Sequence, residues 1–124
     1  MFSYKASGPF VTLQSDGKAD ARERQAVFDA IRFDPKVHDG ANLILDLRRA
    51  VIQVTQSDLE ERVRVLFSTL GARLGTACAV IVKDKSLRFG LNVQAIAGNM
   101  NFRVGIFHDE AVARKWLIAD GANR

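Results

Sequence analysis

Basic side chains follow three of the predicted strands at the points where those strands end. Arg48 and Arg49 end one aliphatic run, Lys83 and Lys85 follow the next, and His108 follows a short β-rich run. In an open parallel sheet, ligands gather beyond the carboxyl ends of the strands, where helix N-termini also point. Cations beside free helical N–H groups indicate a site for a phosphate, a carboxylate or an acidic partner surface. The alternative is that these loop residues are simply charged and solvent-exposed.

Asp46 stands inside the first of these runs, Asn42–Arg49, so we expect its carboxylate to be partly buried. A buried carboxylate needs a cationic or hydrogen-bonding partner. Arg48 is the candidate because alternate residues of a strand share a face. The first interpretation is an ion pair that stabilises the strand end, and a ligand-binding or catalytic role is the alternative.

Hydroxyl residues lie where the helix after this strand is expected to begin. Ser57 with Glu60 fits a capping box, and Thr55 with Asp58 is the competing register. Capping alone explains both hydroxyls, but the position of Ser57 also includes it in the predicted ligand-binding edge.

The sequence carries no pattern typical of a catalytic or metal centre. His38 and His108 are far apart, and there is no His-x-x-x-His, Cys-x-x-Cys, P-loop or Gly-x-Ser-x-Gly motif. The single cysteine, Cys78, lies in an apolar run and is interpreted as an inert core thiol. We therefore expect a non-enzymatic protein without metal or cofactor; an enzyme using Asp46, Arg48 and His108 is a third alternative.

The elements that position these residues are organised around Asn42–Arg49. Its continuous aliphatic run is typical of a parallel strand covered on both faces, and the flanking segments are expected to supply the covering helices. An irregular apolar linker, Ala50–Val54, follows it. The predicted strands are Phe2–Lys5, Pro9–Gln14, Asn42–Arg49, Thr76–Lys83 and Asn101–Phe107. The predicted helices are Lys18–Arg32, Thr55–Leu74, a third from Asp84 to about Gly98, and Glu110–Ala119, followed by a tail from Gly121.

The order β-β-α-β-α-β-α-β-α predicts one α/β domain over residues 1–124. We expect a mixed, mostly parallel sheet of four or five strands and about four helices, joined by right-handed crossovers. This order resembles the STAS superfamily, and within it the SpoIIAA-like branch of small bacterial proteins with a STAS/SEC14-type fold. The resemblance is carried by Leu43–Arg48, Ala79–Val82, Val104–Ala111 and Ala113–Leu117.

The resemblance implies a binding module. In the family, a phosphorylatable serine lies in an Asp-Ser-Ser-Gly-type turn at the start of the helix after the central strand. The corresponding stretch here, residues 49–57, lacks that motif. Neither phosphorylation of Ser57 or Thr55 nor regulation of a sigma factor is therefore carried over.

Composition narrows the class of partner. The chain has 124 residues, of which 48% are hydrophobic and 26% charged, and a net charge of +4. This charge falls short of a basic stripe, and exposed aromatic residues do not interleave with it, so nucleic-acid binding is not expected. No apolar run approaches the ~20 residues that span a bilayer, and the start lacks a secretory pattern. We expect a cytoplasmic protein.

Two functions remain open. The first is a non-enzymatic, regulatory interaction module that binds a protein partner and forms a homodimer. The alternative is a carrier of a small apolar or anionic, lipid-like ligand, with a cavity under the third predicted helix, where Phe89 and Met100, with Leu87 and Leu91 on nearby faces, make the helix apolar over a wide arc. A carrier needs an internal apolar cavity, whereas an interaction module needs a filled core and an exposed apolar patch.

Overall fold

The computed structural model describes the backbone of residues 1–122 and the side chains of residues 1–119. The fold is α/β, with five strands in one sheet and four α-helices in the predicted order. The strands are β1 (Phe2–Ser7), β2 (Phe10–Gly17), β3 (Asn42–Ala50), β4 (Ala77–Ile81) and β5 (Arg103–Phe107). The helices are α1 (Ala21–Phe33), α2 (Gln56–Leu70), α3 (Leu87–Gly98) and α4 (Glu110–Ala122), and a 3₁₀ turn over Asp84–Ser86 precedes α3.

Helix boundaries differ from the predicted ones where capping decides them. Helix α1 begins after Asp20, whose side chain accepts a hydrogen bond from the backbone N–H of Glu23. Helix α2 begins after Thr55, whose hydroxyl accepts from the Asp58 N–H, so the Thr55 capping register is the correct one and the Ser57 register is wrong. Helix α4 continues through Ala122, where a tail was predicted; the rest of that tail, residues 123 and 124, lies outside the described residues.

The strands lie in sequential order, β1-β2-β3-β4-β5. The hairpin of β1 and β2 is antiparallel, and its turn contains Gly8 with φ +57°. Every other pairing is parallel: Leu45 of β3 pairs with Leu13 of β2 and with Val80 of β4. The sheet is therefore mixed and mostly parallel, as predicted.

Sequential order explains how the helices are distributed. When successive right-handed crossovers advance in one direction, their helices all lie on one face of the sheet. The larger buried cluster agrees, because it joins Phe28 of α1, Leu66 of α2 and Val93 of α3 to Leu45 of β3. The expectation that the helices flanking β3 cover its two faces is wrong, since α1 and α2 lie on the same face.

Helix α4 covers the opposite face. No strand follows this helix in the described residues, so it is free to fold back across the sheet. Ala113 and Leu117 of α4 form a second, smaller cluster with Ile44 of β3 and Ile81 of β4. Strand β3 is thus covered on both faces, as its aliphatic run predicted, but by elements from different parts of the chain.

Candidate functional site

An apolar pocket opens between the sheet and the helices α1, α2 and α3. It lies at the carboxyl ends of β2 and β3, the edge at which a ligand site was predicted. Its walls come from both these strands, from the linker after β3 and from the inner faces of the helices. The main apolar lining residues are Phe2, Phe28, Leu45, Leu47, Val51, Val54, Leu59, Val63, Leu66, Phe89 and Val93.

The pocket has a cavity volume of about 120 Å³. An engineered apolar cavity of about 150 Å³ binds benzene, whereas pockets for drug-sized ligands occupy roughly 300 Å³ or more. The cavity therefore matches one ring or a short aliphatic chain of about six heavy atoms. A two-chain lipid exceeds this volume several times.

Arg24 of α1 and Arg62 of α2 also line the pocket. Arg24 is half-buried and Arg62 is exposed, so Arg62 belongs to the part of the lining that meets solvent. Partial burial lowers the pKa of Arg24, and the positive charge of Arg62 lowers it further. Two like charges therefore lie within electrostatic reach of each other beside an apolar cavity.

Ser15 is the buried polar side chain of the pocket lining. The residue is 8% exposed, and alternation along β2 directs its side chain to the same face as Leu13. Among the residues that the structure describes, none makes a hydrogen bond with the Ser15 hydroxyl. This oxygen is not one of the fully buried side-chain atoms that lack a partner, so solvent reaches it through the pocket and it is open to a polar group of a guest.

Of the residues predicted to form the ligand edge, Asp46 and Arg48 lie together. Arg48 donates from Nε to Oδ1 of Asp46 at 3.0 Å and from Nη2 to Oδ2 at 2.9 Å. Burial alone would raise the pKa of Asp46, but the hydrogen bonds and charge of Arg48 outweigh it and hold this pKa below its usual value. The same pairing raises the pKa of Arg48. The pair lies on the α4 face and does not line the pocket.

The remaining predicted residues are dispersed. His108 donates from Nδ1 to the carbonyl oxygen of Val82 at 2.6 Å, and its Nε2 lies 3.3 Å from Oδ1 of Asp84. Lys83 and Lys85 are exposed at the 3₁₀ turn. Two others are exposed elsewhere, Arg49 at the end of β3 and Ser57 in the first turn of α2. Within the described part of the chain, no hydrogen bond or ion pair links His108 to the Asp46–Arg48 pair. An anion site formed by these residues stays a prediction.

Reasoning from the sequence missed the two pocket arginines. The local sequence around Arg24 favours a solvated face of mixed charge, because Glu23, Asp29 and Asp34 balance the arginines of this helix. Arg62 stands in a similarly charged stretch of α2. The packing of α1 beside α2 brings them to one cavity, and no local pattern encodes that packing. The sequence feature that could have indicated the pocket is the apolar linker after β3, because its residues Val51 and Val54 line the pocket.

The chemistry of other candidate groups is limited. Burial raises the pKa of the Cys78 thiol to about 12, so the thiolate needed for nucleophilic attack or metal binding is not formed near neutral pH. In residues 1–122, no group of three His, Cys, Asp or Glu side chains is arranged to hold a metal ion.

The same residues contain no helix with the length and apolar character needed to cross a bilayer.

Comparisons with protein-family models, curated proteins and solved structures found no match. The resemblance to the STAS superfamily therefore stays a prediction that rests on the order of elements and the residues quoted for it. The candidate site is assigned from its geometry alone.

Proposed function

We propose that this chain is a non-enzymatic binding module of STAS-like fold that holds the apolar body of a small ligand. The observation that carries the proposal is the apolar cavity between the sheet and α1, α2 and α3. An open apolar pocket that reaches into the core supports a carrier, whereas a pure interaction module would have a filled core. The carrier alternative raised from the sequence is therefore the better supported one.

The size of the cavity favours a small guest. Filling about 120 Å³ with a hydrocarbon group of about six heavy atoms removes that group from water. Phe28, Leu45 and Val63, all buried, provide rigid apolar walls contributed by three different elements. A guest held in this way would also strengthen the contact between the helices and the sheet.

Native mass spectrometry of the purified protein, followed by denaturing mass spectrometry, tests for a co-purified guest. A mass excess that disappears on denaturation supports the proposal. In parallel, hexan-1-ol and benzene are titrated into ¹⁵N-labelled protein, and we expect amide shifts confined to the pocket lining. No shift with either probe, together with no mass excess, would contradict the proposal.

Val54→Phe is the variant that tests whether the guest binds in this pocket. Val54 lies half-buried on the linker after β3 and lines the pocket, so a larger ring there should fill the cavity without disturbing a helix. The matched control is Val112→Phe, at an exposed valine of α4 on the opposite face. We expect Val54→Phe to abolish the amide shifts and the control to keep them. Retained binding in Val54→Phe would place the guest elsewhere.

A second candidate function, binding of a protein partner including a second copy, is favoured by α3. Leu87 and Leu91 follow each other at helical spacing on its outer side and are 41% and 48% exposed. If they form a dimer contact, light scattering should give twice the monomer mass, and the double variant Leu87→Gln/Leu91→Gln should return the monomer mass. A monomer at all concentrations in the unchanged protein would exclude the homodimer.

A further inference from the structure

Resting on the proposed function, we infer that the ligand carries an anionic head group bound by Arg24 and Arg62 at the pocket. The inference concerns the chemical class of the guest: an apolar body of about six heavy atoms that ends in a carboxylate or a phosphate. Its basis is that two arginines, which are close enough for their charges to repel each other, and one serine line the same pocket.

The two arginines differ from those elsewhere whose charge is neutralised by a carboxylate. Five arginines make such ion pairs in the described part of the chain: Arg32, Arg48, Arg64, Arg73 and Arg114. Arg24 instead donates from Nη1 to the backbone oxygen of Ala19 at 2.6 Å. Arg62 makes no ion pair with any described residue.

The carboxylates nearest to Arg24 and Arg62 in the sequence make their hydrogen bonds elsewhere, although the negative charges of Asp20 and Glu23 still oppose the lowering of the Arg24 pKa. Glu23 accepts a hydrogen bond from the Phe2 N–H at 2.7 Å, and Asp20 caps α1. Beside Arg62, Glu61 accepts from Nη1 of Arg64 at 2.7 Å. None of these neighbouring carboxylates forms a direct ion pair with Arg24 or Arg62, and an anionic group on the guest would supply one.

Guanidinium groups suit this role because they present several N–H donors in a plane and bind carboxylate or phosphate with two parallel hydrogen bonds. The half-buried position of Arg24 strengthens such a bond relative to one made in bulk water. The Ser15 hydroxyl is the third polar group of the lining and can donate a further hydrogen bond to an oxygen of the guest. Binding of an anion would also remove the repulsion between the two arginines.

The experiment compares guests with the same tail and different heads: hexanoate, hexyl phosphate, hexan-1-ol and hexylamine, each titrated by calorimetry and NMR. We expect hexanoate or hexyl phosphate to bind at least about tenfold more tightly than hexan-1-ol, and hexylamine more weakly than the alcohol. The tighter of the two anions identifies the head group. Raising the salt concentration should weaken binding of the anions alone.

Arg62→Gln is the first variant, because Arg62 makes no hydrogen bond or ion pair with any described residue that folding would lose. We expect it to reduce anion affinity about tenfold and leave hexan-1-ol affinity unchanged. Arg24→Gln should act in the same way, and Ser15→Ala should give a smaller loss. Arg64→Gln on the same helix is the matched control, since Arg64 pairs with Glu61 on the surface, and it should leave both affinities unchanged.

The outcomes separate the two proposals. Equal affinity for hexanoate, hexyl phosphate and hexan-1-ol, unaffected by Arg62→Gln, would overturn the anionic head group while the apolar pocket stands as a binding site. Absence of binding by all four guests would overturn the proposed function as well. An equal loss in Arg62→Gln and Arg64→Gln would show a general effect of surface charge and would also overturn the inference.

Discussion

The two faces of the sheet are covered in different ways. Helices α1, α2 and α3 cover one face, and they meet the carboxyl ends of β2 and β3 incompletely, which leaves the apolar pocket. The other face is covered by α4 alone, with a small cluster around Ile44 and Leu117. Helices α1, α2 and α3 are each held between two strands by a crossover, whereas α4 follows the last described strand and is free of that constraint. The cavity lies on the face whose helices are constrained in this way.

The largest expected effect comes from removing the same side chain from each face. Leu70 and Leu117 are both buried, and Leu→Ala at such sites costs about 2–5 kcal/mol of the free energy of unfolding. Leu70→Ala should shift the whole unfolding transition, because α2 lies between α1 and α3. Leu117→Ala should loosen α4 first, since this helix contacts the rest of the fold through one small cluster.

Urea unfolding measured by far-ultraviolet circular dichroism and by fluorescence of the single tryptophan, Trp116 of α4, checks this difference. We expect coincident transitions for Leu70→Ala, and an earlier fluorescence transition for Leu117→Ala. Coincident transitions in both variants would show that the two faces unfold as one unit.

A methyl group added at a glycine should cost less on the α4 face. A Cβ at Gly71 would lie 2.7 Å from Cζ of Phe102 and would press on the carbonyl of Phe67, whose ring already packs against Phe102. At Gly105 the nearest atoms are all side-chain atoms, the rim of Phe107 at 2.7 Å and of Trp116 at 3.2 Å, and these half-buried rings can move where the backbone carbonyl at Gly71 cannot. We expect losses of about 1–3 kcal/mol for Gly71→Ala and about 1 kcal/mol or less for Gly105→Ala.

Gly98→Ala is the control for both, because a Cβ there meets no atom within 4 Å. Alanine also loses less backbone entropy than glycine on folding, so Gly98→Ala should be neutral or slightly stabilising. Thermal unfolding of the three variants gives the ranking. A greater loss for Gly105→Ala than for Gly71→Ala would contradict the difference between the faces.

The ion pair on the α4 face should contribute more than an exposed pair of similar length. The Asp46 side chain is 10% exposed and accepts two hydrogen bonds from the Arg48 side chain, whereas Glu61 and Arg64 form a solvent-exposed pair at 2.7 Å. Asp46→Asn should lower the free energy of unfolding by about 1–3 kcal/mol at neutral pH, and Glu61→Gln by less than about 0.5 kcal/mol.

The pH dependence follows from the lowered pKa of Asp46. Its contribution to stability is complete above the ordinary carboxyl pKa of about 4 and is lost as the pH falls through the lower folded value. The difference between wild type and Asp46→Asn should therefore shrink on acidification below about pH 4. A difference that is constant down to pH 2 would contradict the ion pair.

The smallest expected effect concerns a hydrogen bond on the three-helix face. The hydroxyl of Tyr4 donates to Oδ2 of Asp34 at 2.7 Å, which raises the pKa of Tyr4 and lowers that of Asp34. Because Tyr4 is the single tyrosine, phenolate absorbance reports it alone. Asp34→Asn should return the pKa of Tyr4 toward its ordinary value of about 10.

The contribution of the Tyr4–Asp34 hydrogen bond to stability depends on pH in the opposite direction to that of the Asp46–Arg48 ion pair. A raised tyrosine pKa stabilises the fold below the ordinary value and loses this contribution as the pH rises through the folded value. Tyr4→Phe should therefore matter least at the highest pH at which the protein remains folded. An unchanged titration in Asp34→Asn would show that the carboxylate does not set the pKa.

The order of elements could be predicted because each one depends on a local pattern. The aliphatic run of β3 and the helical spacing of Leu59, Val63 and Leu66 are visible in the chain itself, and both elements are present. The pairing of Asp46 with Arg48 was predictable for the same reason, since residues two apart on a strand share a face.

Predicting which helices cover which face of the sheet required knowledge of the strand order. A strand run indicates that both its faces are covered, but not which helices cover them. Sequential strand order places α1 and α2 on one side and leaves the other to α4, so the flanking-helix expectation failed.

The sequence by itself determined which segments are strands and helices and one local ion pair, because these depend on neighbours within a few positions. Only the tertiary structure decided that Arg24, Arg62 and Ser15 share one cavity. Arg62 is distant in the chain from Ser15 and Arg24, and no local sequence pattern marks any of the three residues. Their meeting depends on how α1 and α2 pack against β2, which is a property of the whole core and not of any local segment.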